Sequence, residues 1–202
     1  MNKSYILSID NGATGSFTIL DNKGKLVAFE HVPNFKVNSW KKPKAKKTKT
    51  GKVSKSVKQS QFTVIDINQL QKKLVSYLGT VNDVKCFLER PAVGFSGWGI
   101  WTSLAGFSNW VAVQYVLMNL KIPYETVDSK EWQDALIPQA TGKNNKEYLK
   151  GLKKGERNKL LKQASDKLAK EMFPRVVLKE LGDGDSLCMG YYYFLKEEAN
   201  EM

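Results

Sequence analysis

The first 31 residues constrain the fold of this chain more than any other segment. Residues 4–9 form an apolar run that ends at Asp10, small residues follow at 11–15, and a second apolar run covers 17–20. Glycines in the first turn and at Gly24 allow the chain to reverse direction twice, because glycine adopts backbone conformations that other residues avoid. The segment therefore predicts three antiparallel strands, the first of which ends in an acid.

Strand alternation indicates where Asp10 points. Because successive side chains of a strand lie on opposite faces, Ser8 and Asp10 share one face while Leu7 and Ile9 share the other. Asp10 then projects from the strand end beside a glycine turn, where a metal ion or a phosphate group could bind. The alternative is an ordinary hairpin in which Asp10 only caps the turn. Further acids near Asp10 would favour the first interpretation.

Length, charge and cysteine content narrow the class of protein. A chain of 202 residues suffices for one domain with a substantial core, so we predict a single domain over residues 1–202. The net charge of +12 favours an anionic partner, nucleic acid rather than a membrane surface. Because the sequence has neither a long apolar stretch nor a signal pattern, we expect a soluble, cytoplasmic protein. Cys86 and Cys188 lack zinc-site spacing and predict buried free thiols.

Lysines are concentrated in two segments. Residues 36–60 contain no acid and few apolar side chains, which predicts an inserted basic arm or hairpin, and 139–156 read as a second basic loop. Lysines that neutralise phosphates release counterions and bind DNA independently of base sequence, so we expect the arm to contact the DNA backbone. A solvated linker without a partner is the alternative. The arm lysines that we assign to DNA contact are Lys41, Lys42, Lys44, Lys46, Lys47 and Lys49.

A second predicted strand also ends in an acid. Residues 84–88 are largely apolar, Glu89 follows them, and Pro91 ends the strand pattern. If this strand lies beside the first one, Asp10 and Glu89 are neighbours, and two such carboxylates repel each other unless a divalent cation lies between them. The alternative is a surface glutamate that pairs with Arg90.

A glycine-rich segment with several aromatic residues follows this second strand. Phe95 and Trp98 lie among its glycines, close in sequence to Glu89. We therefore predict that these two rings stack on DNA bases, because aromatic faces bind every base. The alternative is that the aromatic side chains of this segment belong to the core at the start of the next helix.

The C-terminal half alternates between strand and helix patterns. Apolar residues recur at helical spacing over 104–120 and 160–172, and a short strand pattern covers 123–127 between them. Together with the N-terminal strands, this order predicts an α/β fold in which helices flank a sheet.

The last helix pattern begins beside two further acids. Asp183 and Asp185 stand at its start, where capping of the helix accounts for one acid but not for both. A carboxylate from this helix could join the two strand-end acids in the two-metal arrangement that hydrolyses phosphodiesters.

Five motifs of the chain, in their order along the sequence, resemble those of the RuvC-like Holliday junction resolvases, particularly the short phage-encoded members. The motifs lie at 9–12, 88–91, 127–132, 162–165 and 183–187. The resemblance implies an RNase H-like α/β fold with a mixed five-stranded sheet. It also implies a homodimer that cleaves four-way junctions and other branched DNA by paired nicks, with two Mg²⁺ ions in each active site, or Mn²⁺ in their place.

The resemblance assigns roles to individual residues. The metal-binding acids would be Asp10, Glu89 and Asp185, with Asp183 as a fourth. Lys162 would lie near the scissile phosphate, and we add Lys130 and Lys159 to the candidate DNA contacts.

The chain departs from the family pattern at three points. Asn11 stands where a proline is common, and Ser186 stands where alanine is usual. Asp183 and Asp185 also lie closer together in sequence than the last two acids of the family. Asp185 is the more secure metal ligand of the two.

Two other classes of protein share some of these features. The turn at 9–15 also resembles the phosphate loop of sugar kinases and actin-like ATPases, but those proteins enclose a nucleotide between duplicated domains, and this chain has no second such loop. A non-catalytic DNA-binding or architectural protein would account for the lysines. It would leave the acids unexplained, because bare carboxylates that face DNA repel its phosphates.

Overall fold

A five-stranded mixed sheet forms the centre of the structure, a computed structural model that describes residues 4–12, 14–38, 61–79, 83–91 and 100–201. The strands in chain order are β1 (Ser4–Ile9), β2 (Ser16–Asp21), β3 (Leu26–His31), β4 (Asn34–Asn38), β5 (Gln61–Ile65), β6 (Asp83–Glu89) and β7 (Tyr124–Val127). β4 and β5 pair with each other in a small separate sheet, and the other strands form the central one.

The central sheet has the strand order β3-β2-β1-β6-β7. β2 pairs antiparallel with β1 and with β3, whereas β6 runs parallel to β1 and to β7. The three antiparallel N-terminal strands are thus confirmed, as is the α/β class with a mixed five-stranded sheet flanked by helices.

The helices of the described residues are α1 (Ile67–Leu78), α2 (Ile100–Asn119), α3 (Ser129–Thr141), α4 (Asn145–Tyr148), α5 (Lys154–Met172) and α6 (Gly184–Glu201). β1 alternates as predicted, and its two faces pack in two separate core clusters. Leu7 packs in one cluster with Leu74 of α1 and Leu117 of α2. Ile6 packs in the other with residues of α3, α5 and α6, among them Leu187. Burial of one such side chain stabilises the fold by about 1.5–3 kcal/mol.

Local capping explains where α1 and α3 begin. Asp66 caps α1 by accepting the N–H of Gln69 at 3.0 Å, and Asp128 caps α3 by accepting the N–H of Lys130 at 2.9 Å. These side chains satisfy N–H groups that have no partner within the helix. Asp128 follows β7 directly, so the cap fixes the start of α3 at the edge of the sheet.

The structure corrects the predicted loop at 139–156. This segment contains the end of α3, the short helix α4 and the first residues of α5. α4 forms because the Asn144 side chain accepts the N–H of Glu147 at 2.9 Å, a helix-capping interaction that charge counting does not indicate. Of the five lysines of this segment, Lys146 stands in α4 and Lys154 begins α5, whereas the other three lie in the turns and connections between helices.

The two strands of the small sheet, β4 and β5, precede and follow the lysine-rich segment in the chain. β4 and β5 pair antiparallel with Asn38 opposite Gln61, and Gln61 Nε2 donates to Asn38 Oδ1 at 2.9 Å. The predicted arm at 36–60 thus begins within β4. Residues 39–60 lie outside the described residues, and with them Lys41, Lys42, Lys44, Lys46, Lys47 and Lys49; Phe95 and Trp98 also lie outside.

The cysteines are buried and free, as predicted. Burial raises the pKa of the Cys86 and Cys188 thiols, so both stay protonated and unreactive. Within the described ranges, no helix has the length and apolar character needed to cross a membrane.

Candidate active site

Two strand ends bring Asp10 and Glu89 together. β1 and β6 are parallel neighbours with Ile9 opposite Leu88, so the acids that follow these residues stand at the same edge of the sheet. Asn11 reinforces this arrangement, because its Nδ2 donates to the backbone carbonyl oxygen of Glu89 at 2.6 Å. A residue that departs from the family pattern therefore ties the two acid-bearing strand ends to each other.

The turn after β1 orients the Asp10 carboxylate. Asp10 Oδ1 accepts the N–H of Gly12 at 2.8 Å, and the backbone N–H of Asp10 donates to the Ser16 carbonyl oxygen at 2.9 Å. A Cβ atom at Gly15 would lie 2.0 Å from the Asp10 carbonyl oxygen, so only glycine fits there. Asp10 thus caps its turn, as the simpler interpretation predicted, and it also faces other acids.

Helix α6 approaches the sheet through buried hydroxyl groups. Ser186 Oγ lies 2.7 Å from Ser16 Oγ and 2.9 Å from Thr18 Oγ1. Ser8 Oγ donates to the Ser186 carbonyl oxygen at 2.7 Å. Gly190 permits this close approach, because a Cβ atom there would lie 2.6 Å from Ser8 Oγ. Ser186, the second departure from the family pattern, therefore fixes the start of α6 against β1 and β2.

Asp183 lies just before α6 with only 1% of its surface exposed. Its Oδ2 accepts the backbone N–H groups of Lys179 at 2.7 Å and Glu180 at 2.9 Å. His31 Nε2, at the end of β3, lies 3.5 Å from the same oxygen. Asp183 Oδ1 is buried and has no hydrogen-bond partner in the described part of the chain. Such an oxygen destabilises the fold unless another group satisfies it.

Asp185 occupies the first turn of α6 and is also buried. Ser165 of α5 donates a hydrogen bond from its Oγ to Asp185 Oδ1. The first N–H group of α6, that of Gly184, donates to Asp166 of α5 at 2.8 Å. The sequence suggested that Asp183 or Asp185 caps the start of α6. At the Gly184 N–H, however, the capping group is the Asp166 carboxylate.

Lys162 of α5 lies among these acids. Its side chain crosses Gly182, where a Cβ atom would lie 2.8 Å from Lys162 Nζ. Gly182 also has a φ of +95°, a conformation that side chains disfavour. The Lys162 ammonium interacts electrostatically with Asp10, Glu89 and Asp185. One positive charge thus faces several negative ones.

Burial and mutual repulsion raise the pKa of three of these acids. Burial raises the pKa of Glu89 well above its usual range, and the charges of Asp10 and Asp185 add to the shift. Burial raises the pKa of Asp185 to about 7, with Asp10 adding to the shift and Lys162 opposing it. The pKa of Asp10 is raised by burial and by Asp183. Asp10, Glu89 and Asp185 therefore resist being ionised all at once.

In the described part of the chain, these acids lie close together but do not form a complete metal-binding site. Among the described residues, no three acidic, histidine or cysteine side chains are positioned so that they could hold one metal ion. Asp183 and Asp185 instead direct oxygens to protein donors, namely backbone amides and the Ser165 hydroxyl. Cation binding would therefore require a change in side-chain orientation that brings the other oxygen of each carboxylate toward the ion.

The two remaining predicted DNA contacts stand near this cluster. Lys130 is exposed in the first turn of α3, next to Ser129, whose side chain forms a hydrogen bond with Glu89. Lys159 is exposed on α5, three residues before Lys162 and hence on the same side of the helix. Both charges therefore border the acids.

Three residues that contact the acids or their turn were not predicted from the sequence: Ser165, Asp166 and His31. Ser165 belongs to the motif that starts at Lys162, and a polar pair one turn beyond that lysine could have indicated a contact with the same site. His31 is the single histidine of the chain, and no pattern around it signals that it meets Asp183.

Neither a protein-family model nor a curated protein sequence matches this chain. Among solved structures, it is similar to T. thermophilus RuvC in complex with Holliday junction substrate, with 12% identity, 96% of each chain covered and a TM-score of 0.49. A Thermus thermophilus RuvC structure shows 10% identity over 96% of each chain with a TM-score of 0.43. This likeness concerns the fold alone.

Proposed function

We propose that this protein is a metal-dependent, structure-selective DNA endonuclease that resolves four-way junctions by paired phosphodiester nicks. The observation that carries the proposal is the gathering of Asp10, Glu89 and Asp185 at one edge of the sheet. Carboxylates crowded in this way destabilise a fold, and perturbed acids of this kind are concentrated at functional sites. The net charge of +12 supports DNA as the anionic substrate.

The donor set suits a hard divalent cation. Mg²⁺ and Mn²⁺ prefer carboxylate oxygens, which Asp10, Glu89 and Asp185 supply, with Asp183 as a fourth donor. The buried Oδ1 of Asp183, which has no hydrogen-bond partner among the described residues, is an atom that a cation or its bound water would satisfy. A pair of such ions, when bound, supplies activation of water and stabilisation of the leaving oxygen in phosphodiester hydrolysis.

Lysines around the acids would bring DNA phosphates to them. Lys162 offsets part of the negative charge of the cluster and would hold the scissile phosphate, while Lys159 and Lys130 would contact the backbone on either side. The lysine-rich segment at 39–60 would add contacts that do not depend on base sequence. Phe95 and Trp98 would stack on bases near the cut.

The proposal is tested by cleavage of an end-labelled four-way junction and of a linear duplex of matched sequence. Each DNA is incubated with Mg²⁺, Mn²⁺ or EDTA at two salt concentrations. We expect metal-dependent, symmetric nicks in the junction alone, and weaker binding at the higher salt concentration. Tight binding without cuts in any metal would contradict the nuclease proposal and would favour an architectural protein.

We also propose that the protein acts as a homodimer that pairs through α2. None of the 20 residues of α2 is charged. A stripe of large apolar side chains, each between 43% and 66% exposed, recurs along it at helical spacing: Leu104, Phe107, Val111, Tyr115 and Met118. Because a basic chain repels a second copy of itself, an uncharged apolar face is where two copies can approach. Sedimentation velocity measures this association directly.

A further inference from the structure

Asp166 of α5 binds the backbone on both sides of Asp183. Its Oδ2 accepts the N–H of Gly182 at 3.0 Å, and its Oδ1 accepts the N–H of Gly184 at 2.8 Å. A carboxylate suits this position because it accepts two N–H groups at once, and its charge strengthens both hydrogen bonds. Asp166 therefore fixes the course of the turn in which Asp183 stands.

Ser165 fixes the next acid along the chain. Its Oγ donates to Asp185 Oδ1, and the same hydroxyl lies 3.1 Å from the Lys162 carbonyl oxygen. The Ser165 backbone carbonyl in turn accepts a hydrogen bond from Cys188 Sγ at 3.3 Å, one turn further along α6. Because a carboxylate has two oxygens, a hydrogen bond to Oδ1 leaves Oδ2 for another ligand.

Close packing holds this turn against α5. A Cβ atom at Gly184 would lie 2.6 Å from the Ser165 carbonyl oxygen and 2.8 Å from Asp166 Cα, so glycine lets the two backbones meet. The side chain of Lys162 lies equally close over Gly182. Residues of α5 thus contact the turn along its whole length, from Gly182 to Asp185.

We propose that Ser165 and Asp166 are positioning residues that hold Asp185 and Asp183 for cation binding. This inference rests on the proposed function, because it takes these acids to be ligands of Mg²⁺ or Mn²⁺. Groups that hydrogen-bond to metal ligands fix the orientation of the ligands, and their removal weakens metal binding by about 10- to 100-fold. Both residues act through the acids and not on the DNA.

The test compares the Mn²⁺ affinity of the full chain, measured by calorimetry without DNA, between wild type, Asp166→Asn and Ser165→Ala. Asparagine offers one acceptor oxygen where two N–H groups need one each, so we expect about a tenfold weaker affinity. Ser165→Ala should also weaken the affinity, although it changes no charge. Glu171→Gln is the control, because it removes one charge from the same helix at a side chain that is 55% exposed; its affinity should equal that of wild type.

A second readout separates positioning from a folding defect. At high Mn²⁺ concentration Asp166→Asn should recover the maximal rate of junction cleavage, with a raised Mn²⁺ concentration at half-maximal rate. Unchanged affinity in Ser165→Ala overturns the positioning role and leaves the proposed function standing if wild type binds Mn²⁺ and cleaves. Absence of Mn²⁺ binding in wild type would overturn both proposals. If Asp166→Asn does not fold, Ser165→Ala decides the question alone.

Discussion

Helices α2 and α6 have similar lengths, 20 and 18 residues, but they use opposite faces of the sheet differently. α2 buries apolar residues such as Leu117 and exposes others such as Tyr115 and Met118. α6 approaches the sheet through Gly190 and Ser186, and the Asp185 carboxylate in its first turn is buried. The α2 face of the sheet is therefore largely apolar, with the hydrogen-bonded Asn109 among its buried residues, whereas the α6 face holds several hydroxyl groups and buried carboxylates.

This difference indicates where the function lies. Buried hydroxyls are tolerated on the α6 side because each has a hydrogen-bond partner, but the crowded carboxylates have one lysine among them. Stability alone would favour apolar residues at such positions. Among the described residues, the α2 side holds no buried carboxylate, and its exposed stripe is instead suited to a partner.

The largest expected effect is the loss of cleavage in Asp10→Asn. Because the substitution removes one charge from the acid cluster and leaves the lysines intact, we expect junction cleavage to fall by about a hundredfold or more, the scale for loss of one charge-stabilising group in an active site. Binding measured in EDTA should change little.

Asp21→Asn is the matched control for Asp10→Asn. Asp21 also accepts turn amides, those of Lys23 and Lys25 at 2.9 Å, but it pairs with Tyr5 at the other end of β1. The Asp21→Asn variant should cleave the junction at the same rate as wild type. Equal loss of cleavage in both variants, or equal loss of binding in Asp10→Asn, would contradict the assignment.

Alanine at one glycine of each helix tests how closely each approaches its neighbours. Gly190→Ala should destabilise the fold by about 1–3 kcal/mol, because the new Cβ atom meets Ser8 Oγ. Gly106→Ala in α2 should stabilise it by up to about 1 kcal/mol, because no described atom outside the neighbouring residues and the backbone of α2 itself lies within 4 Å of the new Cβ, and alanine favours a helix. Chemical denaturation measures both. Similar values for the two variants would remove the contrast between the helices.

A charge on the exposed stripe of α2 tests the proposed dimer. Val111→Glu should weaken self-association at least about tenfold, because an unpaired carboxylate would be buried between two copies. Val177→Glu is the control, since Val177 is 74% exposed and lies away from α2 in sequence. Sedimentation velocity that shows the same monomer fraction for wild type and Val111→Glu would exclude this interface.

The smallest expected effect is a gain in stability in Asp185→Asn. Burial and the neighbouring charge of Asp10, which raise the pKa of Asp185 to about 7, also make its ionised form unfavourable in the folded state. In EDTA at pH 8 the variant should therefore be more stable by about 1 kcal/mol. Mn²⁺ should raise the melting temperature of wild type but not of the variant. A less stable variant would show that the carboxylate is needed for folding.

Local patterns sufficed to predict much of this site. Alternation along β1 gives the face of Ser8 and Asp10, and the apolar run before Glu89 gives a second strand that ends in an acid. Because β1 and β6 are parallel neighbours, those two predictions together imply that the acids meet. The fold class followed from the order of strand and helix patterns.

Contacts across long sequence separations could not be predicted in this way. The hydrogen bond between Ser8 and Ser186 spans 178 residues, and no local spacing indicates that register. The role of Asp166 depends on how α5 packs against the turn before α6, which periodicity does not specify. The exposed stripe of α2 was missed because a helix that is apolar all round reads as buried.

Anomalous scattering from a crystal of the protein grown with Mn²⁺ tests the central claim most directly. We expect anomalous density between Asp10, Glu89 and Asp185, with Asp185 Oδ1 still bonded to Ser165 and the other carboxylate oxygen turned toward the ion. A crystal form with fully occupied Mn²⁺ sites in which the strongest peaks lie elsewhere, and in which no density lies between these three carboxylates, would contradict it.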